Sequence, residues 1–223
     1  MALAAKTKIN TVLFDFDGTL ADTDRLIVDS WQHTYRTFDG RERPVEAIMA
    51  TLGEPLVVTL KKTLPHADTA EAMATYRDFQ IDRFEDMIAV FPGMDDLPKT
   101  LKAQGYKLGI VTSRLTRTTM RGLDVLGVRA CFDTVVTADD TAKHKPHPEP
   151  ILTALARLGA APEESIMIGD STFDIHCAKN AGVRSVLVGW TRALPPAERR
   201  GKNAPDFVIA TAEELLDVLA QID

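Results

Sequence analysis

Short apolar runs that alternate with helical patterns restrict this chain more than any other feature. Residues 11–15 read as a buried strand, "TVLFD". From residue 94 onward, "YKLGIVTS" at 106–113, "FDTVVTADD" at 132–140, "SIMIGD" at 165–170, "RSVLVGW" at 184–190 and "PDFVI" at 205–209 read the same way. Between them the spacing predicts a helix closed by Gly105, one over 115–126 stopped at Gly127, one over 148–158, one closed by Gly182 and a last one over 212–220. Strands that alternate with helices join through right-handed crossovers and pair in parallel. The expected fold is therefore α/β: a Rossmann-like core of three layers with a parallel sheet.

One segment breaks this rhythm. From about 22 to 90 the signals are helical. Ile27, Trp31, Thr34, Tyr35 and Phe38 share one stripe, and "GRERP" at 40–44 ends it. Short apolar turns follow around Ile48 and Leu56 to Leu60. Met73, Tyr76, Ile81, Phe84, Met87 and Ile88 then trace one face of a longer helix, which "FPG" at 91–93 stops. That stripe is expected to be the interior of the insert. The expected organisation is a core of residues 1–19 and 91–223, with an all-helical insert, 20–90, placed after the first strand. The sequence shows neither an internal repeat nor a low-complexity segment.

Composition narrows the partners. The 223 residues carry 26 basic and 32 acidic side chains, a formal net charge of −6. Nucleic acid needs a basic face, so it is not expected as a partner. No run of 18 apolar residues is present to span a membrane. "MALAAKTKIN" has no apolar core of a signal peptide. Cys131 and Cys177, the two cysteines, lie far apart and fit a reducing cytoplasm.

In open parallel sheets, ligands bind outside the carboxyl ends of the strands. Those ends hold the chemistry here. The first strand ends in Asp15 and Asp17, which point the same way because strand side chains repeat every second residue. "LGIV" ends in Thr112 and Ser113; "KHKPHPEP" contributes Lys145; "IMIG" ends in Asp170, with Asp174 one helical turn on. Clustered carboxylates repel unless a cation offsets them. Oxygen donors without His/Cys ligand spacing favour Mg²⁺ over zinc. A lysine and hydroxyls beside a metal suit an anion, most simply a phosphate.

Each signature alone has a plainer explanation. DxDG also suits an Asx turn, Thr112-Ser113 a helix cap, Lys145 a solvated loop, and Asp170 with Asp174 a helix N-terminus. Their order at four strand ends is what joins them. Other motifs fail on spacing. Counting from Asp15, an EF-hand would need Gly and Glu where Leu20 and Leu26 stand, and neither GxxxxGK[ST] nor GxGxxG occurs.

Together, "DFDGT", Thr112, Lys145-Pro146 and "GDSTFD" resemble the four motifs of the haloacid dehalogenase-like superfamily of phosphohydrolases, over nearly the whole chain. "GYKLGIVTS", "FDTVVTADD", "KPHPEP" and "GWT" at 189–191 look most like its pyrophosphatase branch, beside the phosphoglycolate phosphatases. The resemblance implies that the helical insert is a cap over the site. It implies Asp15 as a nucleophile that forms an aspartyl phosphate, and Asp17 as the general acid/base. It also implies Thr112, Ser113, Lys145 and Gly18 around the phosphoryl group. Asp15, Asp170 and the main-chain carbonyl of Asp17 would hold Mg²⁺, with Asp174 supporting them. The expected partner is a small phosphorylated molecule such as pyrophosphate or phosphoglycolate. The Arg41/Arg43 loop and "TLGEPL" at 51–56 are the candidate substrate contacts of the cap. His144 before the Lys-Pro pair and His176 depart from the family pattern. A phosphosugar mutase shares the core. A receiver domain shares the acids, Thr and Lys, but is about half this length and lacks the insert.

Overall fold

The computed structural model describes residues 8–190, 201 and 204–222. Thr191, the end of the "GWT" signature, lies outside the described residues. In chain order the elements are β1 (Thr11–Phe14), β2 (Ala21–Asp22), α1 (Asp24–Asp39), α2 (Val45–Met49), α3 (Leu56–Thr63), α4 (Thr69–Met87) and β3 (Ala89–Val90). Then come α5 (Leu97–Ala103), β4 (Lys107–Val111), α6 (Thr116–Val125), β5 (Thr134–Val136), α7 (Glu149–Leu158), β6 (Ser165–Gly169), α8 (Thr172–Asn180), β7 (Arg184–Val188), β8 (Phe207–Ile209) and α9 (Glu214–Ile222).

Six strands form one parallel sheet in the order β5-β4-β1-β6-β7-β8. β1, β4, β6 and β7 are almost wholly buried, which is why they read as continuous apolar runs. Helices cover both faces. One apolar cluster includes Val12, Phe14, Ile110, Ile168 and Val186 with α9. A second, on the other face, gathers Leu13, Val111 and Met167 with Ile151, Leu155 and Ala178. The register sets the rim. Phe14 pairs with Ile110 and Ile168, and Ile168 with Val186, so Asp15, Thr112 and Asp170 each follow a strand end on the same rim of the sheet, within one residue of one level.

The predicted strand at 132–140 shortens to β5. Thr137 and its neighbours leave the ladder because Asp140 Oδ2, three residues on, accepts from the Thr137 backbone and hydroxyl, both at 2.8 Å, and turns the chain there. A two-stranded antiparallel ladder, β2 with β3, was not legible in the sequence. It joins the two points where the chain enters and leaves the helical segment.

Helices α1–α4 carry their own apolar cluster of Trp31, Tyr35, Ile48, Leu60, Leu64, Ala72 and Tyr76. Trp31 stacks on Tyr35 at 5.4 Å and tilts against Tyr76 at 5.0 Å. Gly40 at φ 69° ends α1, and the Asp68 carboxylate caps α4 by accepting from the Glu71 N–H at 2.9 Å. The stripe on α4 divides instead of serving one interior. Tyr76 and Met73 pack among the insert helices, whereas Phe84 and Met87 join the main core. Its buried line runs Ala72, Tyr76, Gln80, Phe84 at a spacing of four, with a glutamine at its centre.

Phe84 is 1% exposed and links α4 to the main core. Phe84→Ala is expected to destabilise the fold by about 3–5 kcal/mol through lost burial and a residual cavity. Urea unfolding measures it; a loss below about 1 kcal/mol would show that α4 is not anchored there.

Candidate active site

Asp15 follows β1 directly, and its backbone N–H still donates to Ile168 O at 2.9 Å. Strand order thus buries a carboxylate, 6% exposed, between two neighbouring strand ends. Lys145 reaches it from the β5–α7 loop. Its Nζ lies 2.9 Å from Asp15 Oδ1 and 2.6 Å from Asp174 Oδ1. Pro146 O accepts from Asn180 Nδ2 at 2.9 Å, and His147 O accepts from Cys177 Sγ at 3.1 Å. These two bonds fasten the lysine's loop to α8.

Asp174 is fully buried. Its Oδ2 accepts from the Ser171 backbone at 3.1 Å and from the Ser171 hydroxyl at 2.5 Å, closing a capping box at the start of α8. Both of its oxygens therefore have donors. Gly18, at φ +74°, passes so close to Asp170 that any Cβ there would run into that carboxylate. "DFDG" needs its glycine for this approach.

Asp15, Asp170 and Asp174 each place a carboxylate oxygen within 4.8 Å of the others, all buried. One lysine faces three acids. Burial and the neighbouring Asp174 raise the Asp15 pKa to about 7, against the pull of Lys145. Burial, Asp174 and Asp15 likewise push Asp170 well above the ordinary carboxylate range. The excess negative charge and the all-oxygen donor set fit a hard divalent cation such as Mg²⁺.

Asp17 sits in a different field. Burial would raise its pKa, but the charge and hydrogen bonds of Arg114, with one from Thr23, outweigh burial and hold it below the ordinary range. Arg114 Nε lies 3.2 and 3.0 Å from the two Asp17 oxygens and Nη2 lies 2.7 Å from Oδ1. Two aspartates two residues apart are thus pushed in opposite directions.

Asp15, Asp17, Gly18, Thr112, Ser113, Lys145 and Asp170 all line one cavity of about 290 Å³. Asp174 lies behind it. Thr112 Oγ1 accepts from the Arg114 N–H at 3.2 Å, and the buried Ser113 hydroxyl has no hydrogen-bond partner. The far wall comes from the insert: Thr51 to Leu56, Trp31, Tyr76, Arg77 and Gln80. Gly53, at φ +85°, brings this loop against Ser171 and Phe173. "TLGEPL" therefore lines the cavity, whereas Arg41 and Arg43 do not. Arg43 is spent on structure, bonding Asp39 at 2.6 Å and Thr63 O at 2.7 Å while lying over the Tyr35 ring. Neither arginine, nor His144 or His176, lines the cavity. Sequence reading missed Arg114; its position directly after Thr112-Ser113 at a strand end was the available signal.

Fold and site together define an α/β protein with a buried acid–lysine centre at its strand ends, roofed by helices. Comparison with known proteins supplies the family. The model of the haloacid dehalogenase-like hydrolases matches residues 12–188. The chain belongs to this family. The pyrophosphatase PpaX of Halalkalibacterium halodurans is 39% identical over 216 residues, covering 95% of this chain and 97% of that protein. The pyrophosphatase PpaX of Bacillus cereus strain AH820 is 38% identical over 219 residues, covering 97% and 99%. Among solved structures, a candidate phosphoglycolate phosphatase from Lactobacillus plantarum superposes with a TM-score of 0.85 at 26% identity, covering 95% of this chain and 99% of that one. A haloacid dehalogenase-like hydrolase from Streptococcus pneumoniae gives 0.84 at 26% identity, covering 94% and 98%. The chain is an enzyme, a phosphatase of this family. Among the described residues, no helix is long and apolar enough to cross a membrane.

Asp15 binds its proton more tightly in the folded chain than in the unfolded one, with the pKa raised from 3.8 to about 7. The stability this gives is fully present below the lower value and is lost as pH rises through the upper one. A divalent cation competes with that proton. Added Mg²⁺ is therefore expected to raise Tm more at pH 8 than at pH 5, against an EDTA-treated control in a thermal-shift assay. Equal gains at both pH values would separate the ion from the acid cluster.

Proposed function

We propose that this chain is a Mg²⁺-dependent phosphohydrolase that works through an aspartyl phosphate on Asp15, with pyrophosphate as its substrate. The observation that carries this reading is Lys145 at 2.9 Å from Asp15, both opening into a cavity that also presents Thr112, Ser113 and Asp170. Asp15, Asp170 and the Asp17 carbonyl would hold the ion, with Asp174 supporting through Lys145 and Ser171. When bound, Mg²⁺ offsets the charge of carboxylate and phosphate so that the two anions can meet.

The Asp15 carboxylate attacks phosphorus; an oxygen–phosphorus bond forms as the bond to the leaving group breaks. Lys145, Thr112 and Ser113 hold the phosphoryl oxygens while charge shifts. Asp17 serves the leaving group as acid. It then takes a proton from water, which attacks phosphorus, releases phosphate and restores Asp15. The helical unit of residues 20–90 acts as the cap that keeps bulk water out.

Pyrophosphate is favoured on three grounds. Two relatives at 38–39% identity bear the name pyrophosphatase. The cavity, about 290 Å³, suits a small ligand. Arg114 lowers the Asp17 pKa, so its carboxyl carries a proton in only a small fraction of molecules, and departing phosphate needs that proton less than an alkoxide does. Phosphoglycolate is the second candidate because of the structural neighbour so named.

Phosphate release with Mg²⁺ tests the reading across pyrophosphate, phosphoglycolate, nucleotides and sugar phosphates. Pyrophosphate is expected to give the highest kcat/KM; a sugar phosphate that rearranges without releasing phosphate would make the chain a mutase instead. Asp15→Asn is expected to lower turnover by at least about 10⁴-fold while the Tm stays near that of the parent, because an amide cannot form the intermediate. Activity close to that of the parent would remove the covalent route.

A further inference from the structure

The mechanism above gives no task to Arg114, a cation that lines the same cavity as Lys145. The Arg114 side chain is 7% exposed. One edge of it grips Asp17: Nε contacts both oxygens, and Nη2 lies 2.7 Å from Oδ1. Thr23 Oγ1 donates to the same Oδ1 at 2.8 Å. Three donors therefore crowd Oδ1, while Oδ2 meets only Nε at 3.0 Å. A planar fork of this kind fixes the plane of a carboxylate, which a lysine's point charge does not do.

The other edge of Arg114 faces the insert. Nη1 lies 3.5 Å from Gln80 Oε1, at the outer limit of a hydrogen bond. The guanidinium carbon sits 5.0 Å from the Phe84 ring and 5.8 Å from Phe16. Gln80 and Phe84 both belong to α4, and Gln80 Nε2 is itself fixed by donating to Tyr76 Oη at 3.0 Å.

We infer that Arg114 is a positioning residue: it aims Oδ2 of Asp17 at the cavity for proton transfer, and it ties that aim to the seating of α4. The inference rests on the phosphohydrolase reading. It assigns Arg114 no contact with substrate. It therefore predicts a loss in kcat, not in KM, and a loss concentrated in the step that activates water.

The test compares the full-length parent, Arg114→Lys, Arg114→Ala and Gln80→Ala on pyrophosphate and on an aryl phosphate, with Tm measured for each. Arg114→Lys keeps the charge and the fold but loses the fork. Its kcat is expected to fall by about 100-fold, the scale of a misplaced catalytic group, with KM close to that of the parent. Aspartyl phosphate should accumulate on the aryl substrate, visible as added mass on the peptide that holds Asp15. Guanidinium ion should restore turnover to Arg114→Ala in a saturable way, and Gln80→Ala should show a smaller loss of the same kind. A raised KM for pyrophosphate with kcat kept would assign Arg114 to the substrate and overturn the inference. So would a lowered Tm in Arg114→Lys with kcat unchanged, which marks a structural ion pair only. Absence of phosphate release by the parent on every substrate would overturn the phosphohydrolase reading itself, a result distinct from either.

Discussion

The rim of this sheet depends on one buried ammonium group. Lys145 stands within hydrogen-bond distance of Asp15 and Asp174, with Asp170 beside them, so three buried carboxylates share one lysine. Removing a single partner from such a group leaves a buried charge unpaired, at a cost of about 3–5 kcal/mol. The surrounding structure is arranged to keep that lysine in place. Its loop is bonded to α8 through Asn180 and Cys177, and Asp174 is clamped by Ser171 at the first turn of the same helix. One short helix thus fixes both the lysine and an acid that faces it.

The same rim separates two chemistries across two residues. Asp15 faces carboxylates and one lysine, and its proton is held up to about pH 7. Asp17 faces a guanidinium and a hydroxyl, and its charge is held below the ordinary range. Neither difference comes from the aspartates. It comes from what surrounds each one: Asp15 is buried against Asp174 of α8, which follows β6, and Asp17 meets Arg114, which follows β4. Paired acids whose environments push them apart are the usual basis for dividing nucleophilic and proton-transfer work between them.

Strand ends were legible because parallel pairing leaves no freedom there. Once "TVLF", "KLGIV" and "SIMIG" are read as buried neighbours, the residues after them must share a rim, and Asp15, Thr112 and Asp170 do. Helix ends were legible for a similar local reason; Gly40, Gly105 and Gly182 each adopt the left-handed backbone that closes a helix. The illegible parts are those decided by long-range partners. β2 and β3 are two residues each, with no periodicity to find. Arg41 and Arg43 looked like ligand contacts because exposed arginine loops attract anions, but Arg43 found Asp39 and Tyr35 first. Gln80 was passed over because a polar residue does not extend an apolar stripe, although its burial is the more informative fact.

Gln80 and Gly53 show how the helical layer touches the chemistry without supplying the acids. The Gly53 loop rests on Ser171 and Phe173, next to Asp170; Gln80 and Phe84 rest on Arg114, next to Asp17. Meanwhile the chain enters and leaves the layer through the paired β2 and β3, and Thr23, just past β2, donates to Asp17. Asp17 is consequently held from both sides of the cavity, by Thr23 at the stem of the helical layer and by Arg114 at the end of β4. A carboxylate fixed in this way cannot keep its orientation if the layer and the sheet move apart. That places the acid at the joint between the two parts of the fold, whereas Asp15, fixed by the sheet and Lys145 alone, is independent of it.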